Sequence, residues 1–160
     1  MKSIPLSQGK FALVDDGDYE ALRIHRWSLS HGYAARKVNG RQLFMHRAIL
    51  NPPPGQKIDH RNGDGLDNQR SNLRLATQAQ NSQNQGKQSG TSSQFRGVTF
   101  HRPSQKWTAQ IRVNGKLEYL GTFASEADAA RHYDDRAAEA WGEYARLNFP
   151  AGLGTEQLAS

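Results

Sequence analysis

Cysteine is absent from all 160 residues. That excludes disulfides, thiolate zinc sites and cysteine nucleophiles, and it fits a reducing, intracellular setting. Long hydrophobic runs are missing too. No stretch approaches the ~18 apolar residues of a membrane span, and the opening MKSIPLSQGK lacks the apolar segment of a secretory signal, so none is expected. Hydrophobic residues make up 36% and the mean hydropathy is −0.83, which leaves little for one large core. Acidic charge is the scarcer sign. Fifteen Asp+Glu face twenty-one Lys+Arg, for a net +6 and a pI near 9.8, a balance that points towards nucleic acid.

The charge is also segregated. Residues 1–85 carry +5, residues 87–122 carry +5, and residues 123–160 carry −4. Blocks of this kind suit a polyanionic partner better than an even basic excess does.

The segment QGKQSGTSSQ, residues 85–94, has no large apolar side chain and reads as a flexible linker. It divides the chain into a first module over 1–85, a linker over 86–94, a second module over 95–150 and a tail over 151–160. Each module is near the lower size limit for folding alone, and no convincing internal repeat appears.

In the first module, a short apolar run over Phe11 to Val14 precedes an acidic turn, DDGD. Tyr33–Val38 and Arg41–Met45 flank Asn39-Gly40, a strong hairpin signal because a type I′ turn needs positive φ twice. MHR leads into AILNPPPG, whose prolines end any helix. IDHRNGDGLDNQRSNLRLATQAQNSQNQ then reads as a short strand, a Gly-rich loop, a second strand and a polar helix that Thr77 can cap. This topology can fold Asn81, 21 residues after His60, back beside Asp59. Two oxygen donors with open positions suit a hard cation such as magnesium. His60 is suited to take a proton from water near neutral pH, and Asn72 to tie the loop to the backbone through its amide.

In the second module, Trp107, Ala109, Ile111 and Val113 alternate with Thr108, Gln110 and Arg112, giving one core face and one polar, basic face. Val98 and Phe100 alternate with Thr99 and His101, and Lys116–Leu120 forms a third strand whose faces do not separate cleanly. Ser125-x-x-Asp128 resembles a capping box opening a helix with Ala127, Ala130, Tyr133, Ala137 and Trp141 on one stripe, stopped by Gly142. Trp107, Phe123, Tyr133 and Phe149 read as core.

Residues 45–84, with MHR, IDHRNGDGLDNQRSNLRLAT and QNSQN, resemble an HNH endonuclease of the His-Asn-Asn type, in the phage and intron-homing group. Upstream, FALVDDGDYEAL, a tryptophan and YAARK resemble that group's N-terminal strands more weakly. The resemblance implies a ββα-metal (His-Me finger) module with Asp59 and Asn81 as ligands to Mg²⁺ or Mn²⁺. It makes His60 the general base and Asn72 the orienting asparagine. It further implies in-line hydrolysis of a phosphodiester, leaving 5′-phosphate and 3′-hydroxyl ends. Arg61, Arg70, Arg74 and Arg47 are candidates to hold the phosphate. His46 reads equally as a packed histidine or a phosphate contact.

Residues 95–150, with RGV, KWTAQIR, YLGTF, EADAARHYDDRAA and LNFP, resemble the DNA-binding domain of plant APETALA and ethylene-response factors (AP-two/ERF). That implies a three-stranded antiparallel sheet packed on one helix and laid in the DNA major groove. Arg96, Lys106, Arg112 and Tyr119 fall where the family places contacts, with Gln110 a possible base reader. Thr99 and Tyr119 stand where the plant pattern has arginine and tryptophan, and HRPSQ differs in length, so the plant target does not carry over.

The fold class expected is therefore α+β. The function expected is a site-directed, metal-dependent DNA endonuclease that nicks double-stranded DNA as a cytoplasmic monomer, with no membrane partner. A bacterial host or a phage is the setting the resemblance suggests. A transcription regulator with a relic nuclease module, or an RNA-binding or structural module, are the alternatives. The intact Asp59, His60, Asn72 and Asn81 weigh against the first. The lack of an exposed-aromatic RNA-binding run weighs against the second.

Overall fold

The computed structural model describes residues 1–85, 90 and 92–150. The chain divides into two compact units, Met1–Ser82 and Gln83–Ser160.

The first unit opens with an antiparallel pair, β1 (Lys2–Pro5) and β2 (Phe11–Val14). Ile4, Ala12 and Val14 point into the core while Phe11 stays exposed, as period-2 alternation requires. DDGD, expected as a turn, instead starts the helix α1 (Asp16–Arg23). Asp16 and Asp18 sit in its first turn, where carboxylates favour the positive end of the helix dipole.

β3 (Ser28–Ser30), β4 (Tyr33–Val38) and β5 (Arg41–Phe44) form an antiparallel sheet in that order. Asn39 (φ 48°) and Gly40 (φ 76°) make the turn between β4 and β5. His31 (φ 51°) and Gly32 (φ 83°) do the same between β3 and β4, a second two-residue turn that the sequence reading passed over. The helix α2 (Met45–Leu50) ends where Asn51 turns left-handed at φ 43°, just before three prolines.

β6 (Lys57–His60) and β7 (Leu73–Ala76) pair antiparallel with Asp59 opposite Arg74 and His60 opposite Leu73. One residue later the helix α3 (Gln78–Gln83) begins. Thr77 and Gln80 cap it reciprocally: Gln80 N–H donates to Thr77 Oγ1 at 3.2 Å, and Thr77 N–H donates to Gln80 Oε1 at 2.8 Å. The loop between β6 and β7 docks on β2, with Leu13 N–H donating to Leu66 O and Asn68 N–H to Leu13 O, both at 2.8 Å. Ile4, Val14, Leu22, Trp27, Met45 and Leu73 belong to one core, to which β1, β2, α1, β4, α2, β6 and β7 contribute.

The second unit is a three-stranded antiparallel sheet of β8 (Val98–His101), β9 (Lys106–Val113) and β10 (Lys116–Phe123), with β9 central. The helix α4 (Glu126–Trp141) lies on one face, its N-terminus capped by Ser125 Oγ, which accepts from Asp128 N–H. Ala109 and Ile111 of β9 meet Ala129, Ala130, Tyr133 and Ala137 of α4. Ala129, not Ala127, completes the buried stripe. Phe149, read as core, is half-exposed at its edge, against Phe95 and the Arg131 guanidinium.

A bulge between Tyr119 and Gly121 breaks the alternation of β10, which is why its faces did not separate in the sequence. Ser92–Gln94, expected as linker, are fastened to this unit. Ser93 Oγ and Gln94 N–H donate to Glu126 Oε1 at 2.7 and 2.9 Å, and Ser92 Oγ accepts from Phe100 N–H. The rest of that segment, residues 86–89 and 91, and the tail over 151–160 lie outside the described residues. Among the described residues no helix is long and apolar enough to cross a membrane.

Candidate active site

Asp59 and His60 are the last two residues of β6, so their side chains leave the strand on opposite faces. Both are buried. Asp59 Oδ2 accepts from Arg74 Nε at 2.8 Å and lies 2.7 Å from Arg74 Nη2, with side chains only 5% and 6% exposed. The strand register produces this pair, and it fixes the carboxylate.

Burial is the main influence on the His60 imidazole and pushes its pKa down, against the opposing pull of Asn68, Asp59, Asp64 and Asp67. The ring is therefore neutral at neutral pH and able to accept a proton. Asn68 Nδ2 donates to Leu66 O at 3.2 Å, which turns its Oδ1 towards His60 Nε2 at 3.5 Å. An acceptor there favours the tautomer with the proton on Nε2 and leaves Nδ1 as the basic nitrogen. Asn68 stands outside the site residues expected from the sequence. Its signal is burial, since it is one of the largest fully enclosed side chains, and Asn-rich loops do not reveal that beforehand.

Asn72 is also buried. Its Oδ1 accepts from Asn62 N–H at 3.0 Å and its Nδ2 donates to Asp67 O at 2.8 Å, so one amide ties the two ends of the loop. Asn81 lies in α3, half-buried, its N–H donating to Thr77 O at 3.0 Å.

Two of the phosphate candidates make ion pairs within the unit. Arg74 is the buried partner of Asp59. Arg70 makes a bidentate pair with Asp18 through Nε and Nη2, both at 2.8 Å, and donates to Ile49 O. Its charge is matched by a carboxylate 52 residues away in sequence, a partner that no local motif shows. Arg47 donates to Gln56 O at 3.1 Å, and Arg61 is exposed at the start of the loop.

Among the described residues no three His, Cys, Asp or Glu side chains are grouped to hold a metal. A caged structural site is therefore not built from these. One carboxylate and one amide oxygen fit a hard divalent cation that keeps most of its waters. Asp59 carries a carboxylate and Asn81 an amide oxygen of that type.

His46 is a packed histidine. It stacks on Phe44 at 5.4 Å and meets His60 edge-on at 5.1 Å, and its buried Nδ1 has no hydrogen-bond partner among the described residues. Burial first, then His60 and Arg47, lower its pKa to about 4. The unfolded chain takes up this proton near 6.5, the folded chain only near 4, so the stabilisation is full above pH 6.5 and is lost as pH falls towards 4. The expected loss across that window is on the order of 3 kcal/mol. Urea unfolding at pH 7.5 and 4.5 should show it, and His46→Phe should flatten the dependence. An equally steep dependence in His46→Phe would contradict this assignment.

In the second unit, the register puts Lys106, Gln110, Arg112 and Tyr119 on the sheet face opposite α4. Leu117 and Tyr119 share that face at 57% and 66% exposure. Arg96, expected with them, has its guanidinium turned inward. It donates to Gln83 O and Gln85 O at 2.6 and 2.7 Å and lies 5.5 Å over the Trp141 ring.

A family model described as HNH endonuclease matches residues 51–83. An uncharacterized HNH endonuclease of Acanthamoeba polyphaga mimivirus is 31% identical over 148 residues, covering 88% of this chain and 76% of that relative. Over the C-terminal part, an AP2-like ethylene-responsive transcription factor of Arabidopsis thaliana is 45% identical over 67 residues, covering 42% of this chain. A dehydration-responsive element-binding protein of the same plant is 46% identical over 70 residues, covering 38% of this chain. The chain spans only 14% and 28% of those two plant proteins. With a relative matched along most of both lengths, and with homology to AP2-type proteins in its C-terminal part, the chain belongs to the HNH endonuclease family.

Proposed function

We propose that this chain is a metal-dependent, site-directed DNA endonuclease, with a ββα-metal nuclease module before the linker and a sheet that reads the major groove after it. The observation that carries the reading is His60: a buried imidazole with Asn68 Oδ1 3.5 Å from its Nε2, next to a carboxylate that Arg74 holds in place. His60 Nδ1 takes the proton of the attacking water. Asn72 keeps the loop that carries His60's surroundings in shape, and Arg61, exposed at the start of that loop, is a candidate to hold the phosphate. Asp59 and Asn81 would hold Mg²⁺ or Mn²⁺. The chemistry such a cation supplies when bound is stabilisation of the charge developing on the phosphate and the leaving 3′ oxygen.

Lys106, Gln110, Arg112 and Tyr119 present one basic and aromatic face to double-stranded DNA, where Gln110 and Arg112 are the side chains suited to base edges. Joining a reader to a cutter raises the local concentration of the cutter at its site. One Asp59, His60 and Asn81 set serves one strand, so a monomer nicks, in the manner of the homing and phage group.

Supercoiled plasmid tests this. With Mg²⁺ or Mn²⁺, nicked circles should accumulate before any linear form, and a chelator should stop the reaction. Linear product without a nicked intermediate, together with a dimer on a sizing column, would overturn the single-strand reading.

A further inference from the structure

Three rings in the first unit cluster with His60. Tyr33 of β4 lies 5.7 Å from His60, 5.5 Å from His46 and 5.9 Å from Phe44. Phe44 ends β5 and His46 follows it in α2, stacked on Phe44 at 5.4 Å and edge-on to His60 at 5.1 Å. The loop between β6 and β7 closes on the same box. A Cβ added at Gly65 would fall 2.6 Å from the Tyr33 ring and 2.5 Å from Gly32 O, so only glycine lets the loop approach this far.

The torsion that turns an imidazole about its Cβ–Cγ bond is soft and broad. A general base needs that angle fixed, because a misdirected nitrogen loses the water it should deprotonate. Asn68 at 3.5 Å is a long contact for this purpose. Flat walls restrict the ring more firmly: His46 meets it edge-on, a favoured arrangement between rings, and Tyr33 lies against it tilted by 45°. Tyr33 is the wall reaching furthest outward. It is 38% exposed while His60 behind it is buried, so its ring stands at the mouth of the site.

We propose that Tyr33 is a positioning residue for the cleavage reaction: its ring, backed by Phe44 and His46, holds the imidazole of His60 in the orientation that turns Nδ1 towards the attacking water. This rests on the reading of His60 as the base.

Full-length Tyr33→Leu and Tyr33→Phe, compared with wild type and His60→Ala on one duplex substrate with Mn²⁺, test it. Tyr33→Leu should lower kcat about 10- to 100-fold with KM within about threefold. Tyr33→Phe, which keeps the ring, should stay within about twofold of wild type. In the NMR spectrum, the His60 Cε1–Hε1 resonance should move in Tyr33→Leu and hold in Tyr33→Phe. If Tyr33→Leu melts before the assay, Tyr33→Met, which also removes the flat ring but keeps more of its volume, carries the test, and kcat should fall with KM held. A kcat within twofold of wild type for the folded variant overturns the proposal. When His60→Ala is inactive at the same time, the base assignment still stands. If His60→Ala cuts at the wild-type rate, that assignment fails and the proposal falls with it.

Discussion

His60→Ala is expected to lower the cleavage rate about 10²- to 10⁴-fold, the usual contribution of a positioned general base. Affinity for DNA should stay nearly unchanged, because the side chain is buried and the substitution leaves the exposed basic side chains in place. Single-turnover cleavage of an end-labelled duplex measures the rate, and fluorescence anisotropy of the same duplex measures binding. His60→Gln is the informative companion. It keeps a polar group facing Asn68 but has no basic nitrogen, so it should be as slow as the alanine variant. Should either variant cut at the wild-type rate, the water is deprotonated by some other group.

The second large effect concerns stability. Removing one member of a buried ion pair strands the other charge, and this typically costs about 3–5 kcal/mol. Arg74→Ala and Asp59→Ala should each show a loss of that size in urea unfolding, since both side chains are almost fully enclosed. Replacing both at once, Asp59→Leu with Arg74→Met, should recover most of it, because a well-packed apolar pair needs no compensation. A loss below about 1 kcal/mol in Arg74→Ala would place the pair among weak surface contacts.

The Asp59–Arg74 pair separates the two proposed metal donors. Asp59→Ala would lose a donor and destabilise the hairpin together, so excess metal cannot restore it. Asn81→Ala strands no charge, and its cleavage should partly recover as Mn²⁺ is raised.

What the sequence made legible was local. Asn39-Gly40 marks a turn through its own backbone preferences, and Thr77 and Ser125 mark helix starts through their hydroxyls. The Asp59-His60 pair at a strand end was readable because a short strand, a polar loop and a second strand leave few alternatives. Arg74 could also have been anticipated. Once His60 faces Leu73, antiparallel pairing puts Asp59 opposite Arg74.

Distant partners decided the rest. Arg70 looked like a phosphate clamp because it is basic and close to the motif, but Asp18 claims it from across the unit. Arg96 is drawn inward by backbone carbonyls and the Trp141 face, contacts that no strand pattern encodes. Tyr33 and Asn68 drew no attention because their importance lies in what packs around them. The bulge in β10 hides from a period-2 reading because it shifts the period partway along the strand.

Metal-dependent strand cleavage with defined ends is the most direct test of the catalytic assignment. Intact chain is incubated with plasmid in Mg²⁺, Mn²⁺ or chelator, and the ends at the break are typed by phosphatase and kinase labelling. Cleavage only with a divalent cation, leaving 5′-phosphate and 3′-hydroxyl ends, is the expected result. Tight DNA binding with no cleavage in either metal, or breaks that form equally well in chelator, would contradict it.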